Sequence, residues 1–285
     1  MEKIIQWYPG HMARAIRLIQ EKLSAMDLVI EVIDARAPRS SINQGLRAII
    51  GVKPLLLVMN KADLADPKMN DIWLKELNKE EMTISLDSVN GSKNEEIIEK
   101  AILVLLKNKI QKAEESGRKI YPLKAMVVGI PNSGKSTLMN NLAKRKAMMV
   151  GDTPGVTKNM QYLKASDKLV LLDNPGVLWP KFSDQNQGKM LALIGSIKED
   201  IAPIPMIAEY GITVMSERYP SLLKNRYSLD DIKTPYETLE AIGKRRGCLI
   251  RGGEVDMDKT YDVFLRDLRS GRIGRVTFES PSESI

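Results

Sequence analysis

Residues 123–136 read Leu-Lys-Ala-Met-Val-Val-Gly-Ile-Pro-Asn-Ser-Gly-Lys-Ser. The apolar run from Leu123 to Val128 has the length and composition of a buried strand, and a helix is expected from Ser136 to Lys146. Between them lies a loop bounded by Gly129 and Gly134. Strand, glycine loop and helix in this order form an anion cradle. Glycine lets backbone N–H groups turn inward on phosphate oxygens, and the helix N-terminus adds positive potential. In such a cradle Lys135 reaches the β- and γ-phosphates and the Ser136 hydroxyl takes Mg²⁺, while Asn132, Ser133, Gly134 and Thr137 complete the turn.

Moving toward the N-terminus, Pro54-Leu-Leu-Leu-Val-Met59 is a second apolar run, and it delivers Asn60-Lys-Ala-Asp63 to the carboxyl edge of a parallel sheet. A carboxylate there can accept both the ring N–H and the exocyclic amine of guanine as a charge-assisted pair. Adenine lacks that donor pair, and a site built to bond it rejects the wrong base by roughly 10⁴-fold. Asp63 therefore selects guanine, with Asn60 and Lys61 bracing the loop and lying along the base. Ser88-Val89-Asn90, after the strand-like Met82-Thr-Ile-Ser-Leu86, is a second candidate base loop. The base-reading tetrad precedes the phosphate loop in the chain, the reverse of the usual order in guanine-nucleotide switches.

Two segments match the DxxG pattern that holds Mg²⁺ and the γ-phosphate. Asp152-Thr-Pro-Gly155 has no strand leading into it, whereas Asp173-Asn-Pro-Gly176 follows the apolar Lys168-Leu-Val-Leu-Leu172. Asp173 and Gly176 are taken as the functional pair. Gly151 to Thr157 becomes the first switch, with Thr157 as the second Mg²⁺-binding hydroxyl. Cutting an ordinary nucleotide-binding domain before its fourth strand and joining its old ends reproduces this order without altering the sheet. Neighbouring termini make such a circular permutation possible.

The remaining pattern fits an α/β fold, a circularly permuted P-loop domain with a mostly parallel doubly wound sheet, followed by a small α-helical C-terminal domain. Asp27-Leu-Val-Ile-Glu-Val-Ile33 reads as a strand ending in Asp34-Ala-Arg-Ala-Pro38, and Ser41 to Ile50 as a helix. Asn94 to Ala113 reads as a helix with Ile97, Ile98, Ala101, Ile102, Leu105 and Leu106 on its buried side. The expected division is 1–185 for the permuted domain, comprising a base-reading half 1–110, a linker 111–121 and a phosphate-binding half 122–185. Residues 186–285 then form a helical RNA-binding domain, in which Arg275-Val-Thr-Phe278 is the one strand-like run.

Composition narrows the partners. The 285 residues carry a net charge of +7 and a sequence pI near 9.3, with one cysteine, Cys248, and one histidine, His11. An internal disulfide and a four-ligand Cys/His zinc site are both excluded. No apolar run approaches membrane-spanning length, and the first residues lack the core of a signal peptide. A cytoplasmic protein with no membrane partner is expected. Lys244, Arg245, Arg246, Arg251, Arg266, Arg269, Arg272 and Arg275 crowd the last fifty residues. Either they form a solvated basic face or they meet a polyanion, and the clustering favours RNA read through backbone and shape.

Together these residues resemble the YlqF/RbgA family of circularly permuted GTPases, which act in assembly of the bacterial large ribosomal subunit. The resemblance spans the chain. It rests on Gln6-Trp-Tyr-Pro-Gly-His-Met12, Asp34-Ala-Arg-Ala-Pro38, the 60–63 and 129–136 motifs, Gly151-Asp-Thr-Pro-Gly-Val-Thr157, Asp173-Asn-Pro-Gly-Val177 with Leu178-Trp-Pro180, and Lys244-Arg-Arg-Gly-Cys-Leu249. It implies GTP/GDP and Mg²⁺ as ligands, and GTP hydrolysis tied to release from a large-subunit precursor. It also implies rRNA as the surface contacted; a monomer is expected. One departure is Asn174, where the family usually has Thr.

The position that holds a water-orienting Gln in many small GTPases is Val177 here, so the catalytic group must come from elsewhere. Two candidates stand. The His11 imidazole can orient or deprotonate water near neutral pH, a role the resemblance supports. Asn132, in a Pro-Asn loop, can help to hold K⁺, whose charge replaces an arginine finger. Without such help turnover is expected at about 10⁻⁴ to 10⁻³ per second. A GTP-regulated switch on another structured RNA, with incidental hydrolysis, is the alternative function.

Overall fold

The computed structural model describes residues 10–143, 161–178, 184–198 and 201–282. Thr157, the whole 151–157 switch, residues 1–9 and the side chain of His11 lie outside the described residues.

Six strands form one sheet: β1 (Leu28–Asp34), β2 (Leu55–Asn60), β3 (Thr83–Ser85), β4 (Leu123–Gly129), β5 (Gln161–Lys164) and β6 (Leu169–Asp173). Their order is β3-β2-β1-β4-β6-β5, parallel throughout except for β5, which runs antiparallel to β6. The first strand of the chain pairs with the strand of the glycine loop, from Leu28 opposite Ala125 to Val32 opposite Gly129. The sheet thus closes across the permutation, and the exits of β1, β2, β4 and β6 share one carboxyl edge.

Helices precede and cross the sheet: α1 (Gly10–Leu23), α2 (Pro38–Ser41), α3 (Gln44–Ile50), α4 (Pro67–Leu77), α5 (Asn94–Leu105), α6 (Lys107–Glu115) and α7 (Lys135–Leu142). Alternation along the strands divides the core. Leu28, Ile30, Val32, Leu56, Val58, Ala125 and Val127 pack with Ile98, Ile102, Leu138 and Leu142 on one face. Val29, Met126, Val128 and Leu172 pack with Ala15, Ile19, Leu46 and Ile50 on the other. Strands covered on both faces must be apolar nearly throughout, which is why β1 and β2 read as continuous hydrophobic runs.

Three element boundaries differ from expectation. The helix expected over 41–50 is two pieces, because Asn43 is extended and its side chain accepts the Leu46 N–H at 2.9 Å, starting α3 afresh at Gln44. The helix expected over 94–113 breaks at Leu106 with no Gly or Pro to mark it, and α6 then runs to Glu115, well into the expected linker. The short edge strand β5 carries little apolar signal and was not expected.

Beyond β6 come α8 (Gln185–Leu193), α9 (Ile204–Arg218), α10 (Pro220–Tyr227), α11 (Pro235–Arg246) and α12 (Met257–Arg269). Asp184, Thr234 with Glu237, and Asp256 cap three of them. Their core also takes in Met12, Ala37, Ile130 and Leu178 from the first part of the chain. Residues on both sides of the expected 185/186 boundary therefore share one apolar cluster.

Arg275 to Phe278 forms no strand. It lies extended over the first half, with Val276 N–H donating to Leu64 O at 2.9 Å and Phe278 N–H to Arg36 O at 2.7 Å. Trp73 Nε1 donates to Glu279 O at 3.0 Å, and the Glu279 carboxylate accepts the N–H groups of Arg39 and Ser40. The expected basic cluster is therefore partly internal. Arg269 donates to Leu193 O and Ala192 O, neutralising the C-terminal end of α8, and Arg275 donates to Ala65 O and Ala62 O. Arg269 is half-buried, whereas Lys244, Arg245, Arg246, Arg251, Arg266, Arg272 and Arg275 remain exposed.

Candidate nucleotide site

The loops leaving β2 and β4 are bonded to each other. Asn60, buried at the end of β2, donates Nδ2 to Ser133 O at 2.8 Å. Its Oδ1 accepts both the N–H and the hydroxyl of Ser88, at 3.2 and 2.5 Å, so one amide ties three loops. Lys61, in the left-handed region at φ 61°, donates Nζ to Asn132 O at 2.6 Å and to Asp34 Oδ2 at 2.9 Å. Residues 60–63 are thus set against 132–134 although the chain separates them. Asp63 is half-buried beside the same edge, and burial together with the Asp87 charge pushes its carboxyl up.

In the third loop Ser88 N–H is committed to Asn60, while the N–H groups of Val89 and Asn90 donate to Asp87 Oδ1 at 2.8 and 3.1 Å. Val89 is exposed. A base oxygen arriving there would meet N–H groups already turned toward a carboxylate.

The glycine loop is close-fitted. Gly134 takes φ 90°, and a Cβ there would stand 2.1 Å from Asn60 Nδ2, so a side chain would break the bridge between loops. Ser133 Oγ and Lys135 Nζ both donate to Ile130 O at 3.0 Å. Ser136 and Thr137 follow in the first turn of α7, each half-buried. Asn132, also at positive φ, donates Nδ2 to Gly195 O at 2.8 Å, in the turn after α8.

Asp173 ends β6 almost wholly buried, and among the described residues neither carboxylate oxygen has a hydrogen-bond partner. Burial pushes its carboxyl up to about 6 against the pull of the Lys135 ammonium. Burial likewise lowers Lys135 to about 8, opposed by Asp173 and reinforced by Lys61. A buried, unpartnered carboxylate is costly unless a cation or donor arrives. A carboxylate so placed fits a hard divalent ion taking oxygen ligands.

Gly176 comes within van der Waals range of the glycine loop, where a Cβ would stand 2.7 Å from Pro131 Cα. Val177 is buried, with its N–H on Gly129 O at 3.1 Å and its carbonyl accepting Asn43 Nδ2 at 2.9 Å. Asn174 Nδ2 donates to Val127 O and Leu172 O, joining the ends of β4 and β6, while its buried Oδ1 meets no partner among the described residues. The departure at this position therefore serves as a strand-end brace.

Sequence reasoning left Asp34 and Arg36 as a strand end. Both are fully buried, and Arg36 gives Nε and Nη2 to the two oxygens of Asp34 at 2.9 and 2.8 Å. Burial alone would raise the Asp34 carboxyl, but the Arg36 guanidinium and Lys61 ammonium outweigh it and hold the group well below the usual range. An acid ending an apolar strand with an arginine two residues on was the available signal.

The sheet order, the glycine loop on β4 and the buried acid on β6 define a permuted P-loop GTPase. Residues 124–226 match the family described as 50S ribosome-binding GTPase. Ribosome biogenesis GTPase A of Bacillus cereus is 46% identical over 98% of this chain and 95% of its own, and its namesake from Thermotoga maritima is 28% identical over 98% and 95%. A solved structure titled as GDP-bound YlqF from that source superposes with a TM-score of 0.69 at 24% identity, covering 94% of this chain and all of that one. The chain belongs to the ribosome biogenesis GTPase A family and is a GTPase of ribosome biogenesis.

Proposed function

We propose that GTP and GDP lie across the exits of β2, β4 and β6, and that hydrolysis there times release from a precursor of the large ribosomal subunit. The observation that carries the site is the pair of bridges from Asn60 and Lys61 to the carbonyls of Ser133 and Asn132. They set residues 60–63 against 132–134, which supports reading the first as the guanine loop and the second as the phosphate loop. Asp63 accepts the guanine N–H groups, Lys61 lies along the base, and the Ser88-Val89-Asn90 loop borders it. Backbone N–H groups of 132–137 and the Lys135 ammonium take the phosphates, with Gly176 closing on the γ side. Ser136, Asp173 and Thr157 would hold Mg²⁺, which supplies positive charge to the β- and γ-oxygens when bound.

Val177 offers no polar atom to water. We assign water orientation to His11, and K⁺ binding to the amide oxygen of Asn132. His11→Ala should lower hydrolysis on ribosomal particles by 10²-fold or more, a typical general-base contribution, with GTP affinity retained. Rates for the unaltered protein should be higher in KCl than in NaCl. Equal rates in the two salts would remove the monovalent ion from the mechanism.

The polyanionic partner is rRNA. Supporting this, Lys244, Arg245, Arg246 and Arg251 are exposed at the end of α11 and the turn after it, beside exposed Leu249 and Ile250. The buried Asp267 draws Arg226, Arg246 and Arg272 within 2.8 to 3.7 Å of one carboxylate, leaving a surplus of positive charge at the surface. Among the described residues no helix is long and apolar enough to cross a membrane. The reading is of a cytoplasmic monomer. Co-sedimentation with large-subunit precursors tests it: binding with a non-hydrolysable GTP analogue and loss with GDP are expected. Binding that ignores the nucleotide would instead indicate a plain RNA-binding module.

A further inference from the structure

An unbroken series of hydrogen bonds runs from the phosphate loop into the helical half and back. Asn132 Nδ2 donates to Gly195 O at 2.8 Å. Gly195 lies in the turn that closes α8, at φ 81°, and the carbonyls of Ala192 and Leu193 just before it accept the Arg269 guanidinium at 2.9 and 3.1 Å. Arg269 ends α12, and its own carbonyl accepts Arg36 Nη1 at 3.0 Å. Arg36 holds Asp34 through Nε and Nη2, and Asp34 Oδ2 accepts Lys61 Nζ at 2.9 Å. Lys61 Nζ also donates to Asn132 O at 2.6 Å, which returns the series to the residue on which it began.

We propose that this ring couples nucleotide occupancy to the placement of α8 and α12, with Arg36 and Arg269 acting as positioning residues for the phosphate loop. The inference rests on reading residues 129–136 as that loop. Asp34 and Arg36 are at most 1% exposed, so neither has water to replace a lost partner. Breaking the Asp34–Arg36 pair therefore leaves a buried charge unpaired, so displacements on either side of that pair are resisted together. Asn132 contributes its side chain to the α8 turn and its carbonyl to Lys61, so a shift of its peptide is felt on both sides. The route is separate from the covalent exit of the chain beyond β6. Linkage makes it reciprocal: whatever moves the ends of α8 and α12, including a bound RNA, changes nucleotide affinity by the factor with which nucleotide changes RNA affinity.

The test is a double-mutant cycle on the full chain, read as dissociation constants for fluorescent GDP and a fluorescent non-hydrolysable GTP analogue. Arg269 donates to the α8 turn, yet Arg269→Lys should weaken at least one nucleotide fivefold or more, within the usual range of coupling. Asn132→Ser should also weaken binding, and the double variant should be little worse than the more severe single one. Additive effects would overturn the proposal. Should Arg269→Lys fail to fold, Arg36→Lys carries the same cycle. Hydrogen exchange on the unaltered protein gives an arm without mutation: nucleotide should slow exchange at the Gly195 and Ser196 amides, and no change there contradicts the ring. Failure of the unaltered protein to bind either nucleotide would refute the site itself, a different outcome from binding with additive variants.

Discussion

Asp34 gathers more charge than any other buried residue near the site. Its two oxygens accept the Arg36 N–H, Nε and Nη2 and the Lys61 Nζ, all between 2.8 and 3.0 Å. Asp34→Asn removes the anion and leaves Arg36 charged in the interior, a change that should destabilise by about 3–5 kcal/mol in urea unfolding. The pH dependence has a definite sign. Unfolded, the carboxyl titrates near 3.9, and the folded value lies below that. The contribution is complete above about pH 4 and is lost as pH falls through the acid range. The Asn variant should show a flatter acid limb. Asp173 presents the contrasting case, a buried carboxylate whose oxygens meet no hydrogen-bond partner among the described residues.

At the scale of elements, the segment after β6 and the glycine loop after β4 behave as one surface. Gly176 has no space for a side chain against Pro131, and Val177 N–H bonds Gly129 O. Gly176→Ala should lower GTP hydrolysis at least tenfold while far-UV circular dichroism stays unchanged, because the clash falls between two loops and not within a helix or strand. Unchanged turnover would show that the two loops part without cost. These same elements were the legible ones. Strands β1, β2, β4 and β6 announce themselves as apolar runs, and each motif residue follows its strand directly. The break at Leu106 was hidden because no residue there marks a helix end. The carbonyl contacts of Arg269 and Arg275 were hidden because a guanidinium reads as free surface charge until the carbonyls it meets are placed by the fold. Local sequence carries periodicity and caps; it does not carry which distant carbonyl lies under a long side chain.

At the scale of the molecule, permutation leaves the sheet intact and relocates the chain's exit. The glycine-loop strand sits between β1 and β6, and the helical half shares a core with Met12, Ala37, Ile130 and Leu178. Residues 276–279 fold back over the edge that carries Leu64 and Arg36, so this stretch is bonded to the first half of the sheet. The helical half is therefore tied to the sheet through packing and hydrogen bonds as well as through the covalent chain. The account stands on one claim, that a loop from the first half and a loop from the second make a single guanine site. Hydrolysis of GTP, XTP and ATP by the unaltered protein and by Asp63→Asn tests it most directly. Xanthine carries a carbonyl where guanine carries its amine, and an Asn amide can donate to it. The unaltered protein should turn over GTP and reject ATP, and Asp63→Asn should prefer XTP to GTP. Equal use of ATP and GTP, or an Asp63→Asn variant that still prefers GTP, would contradict it.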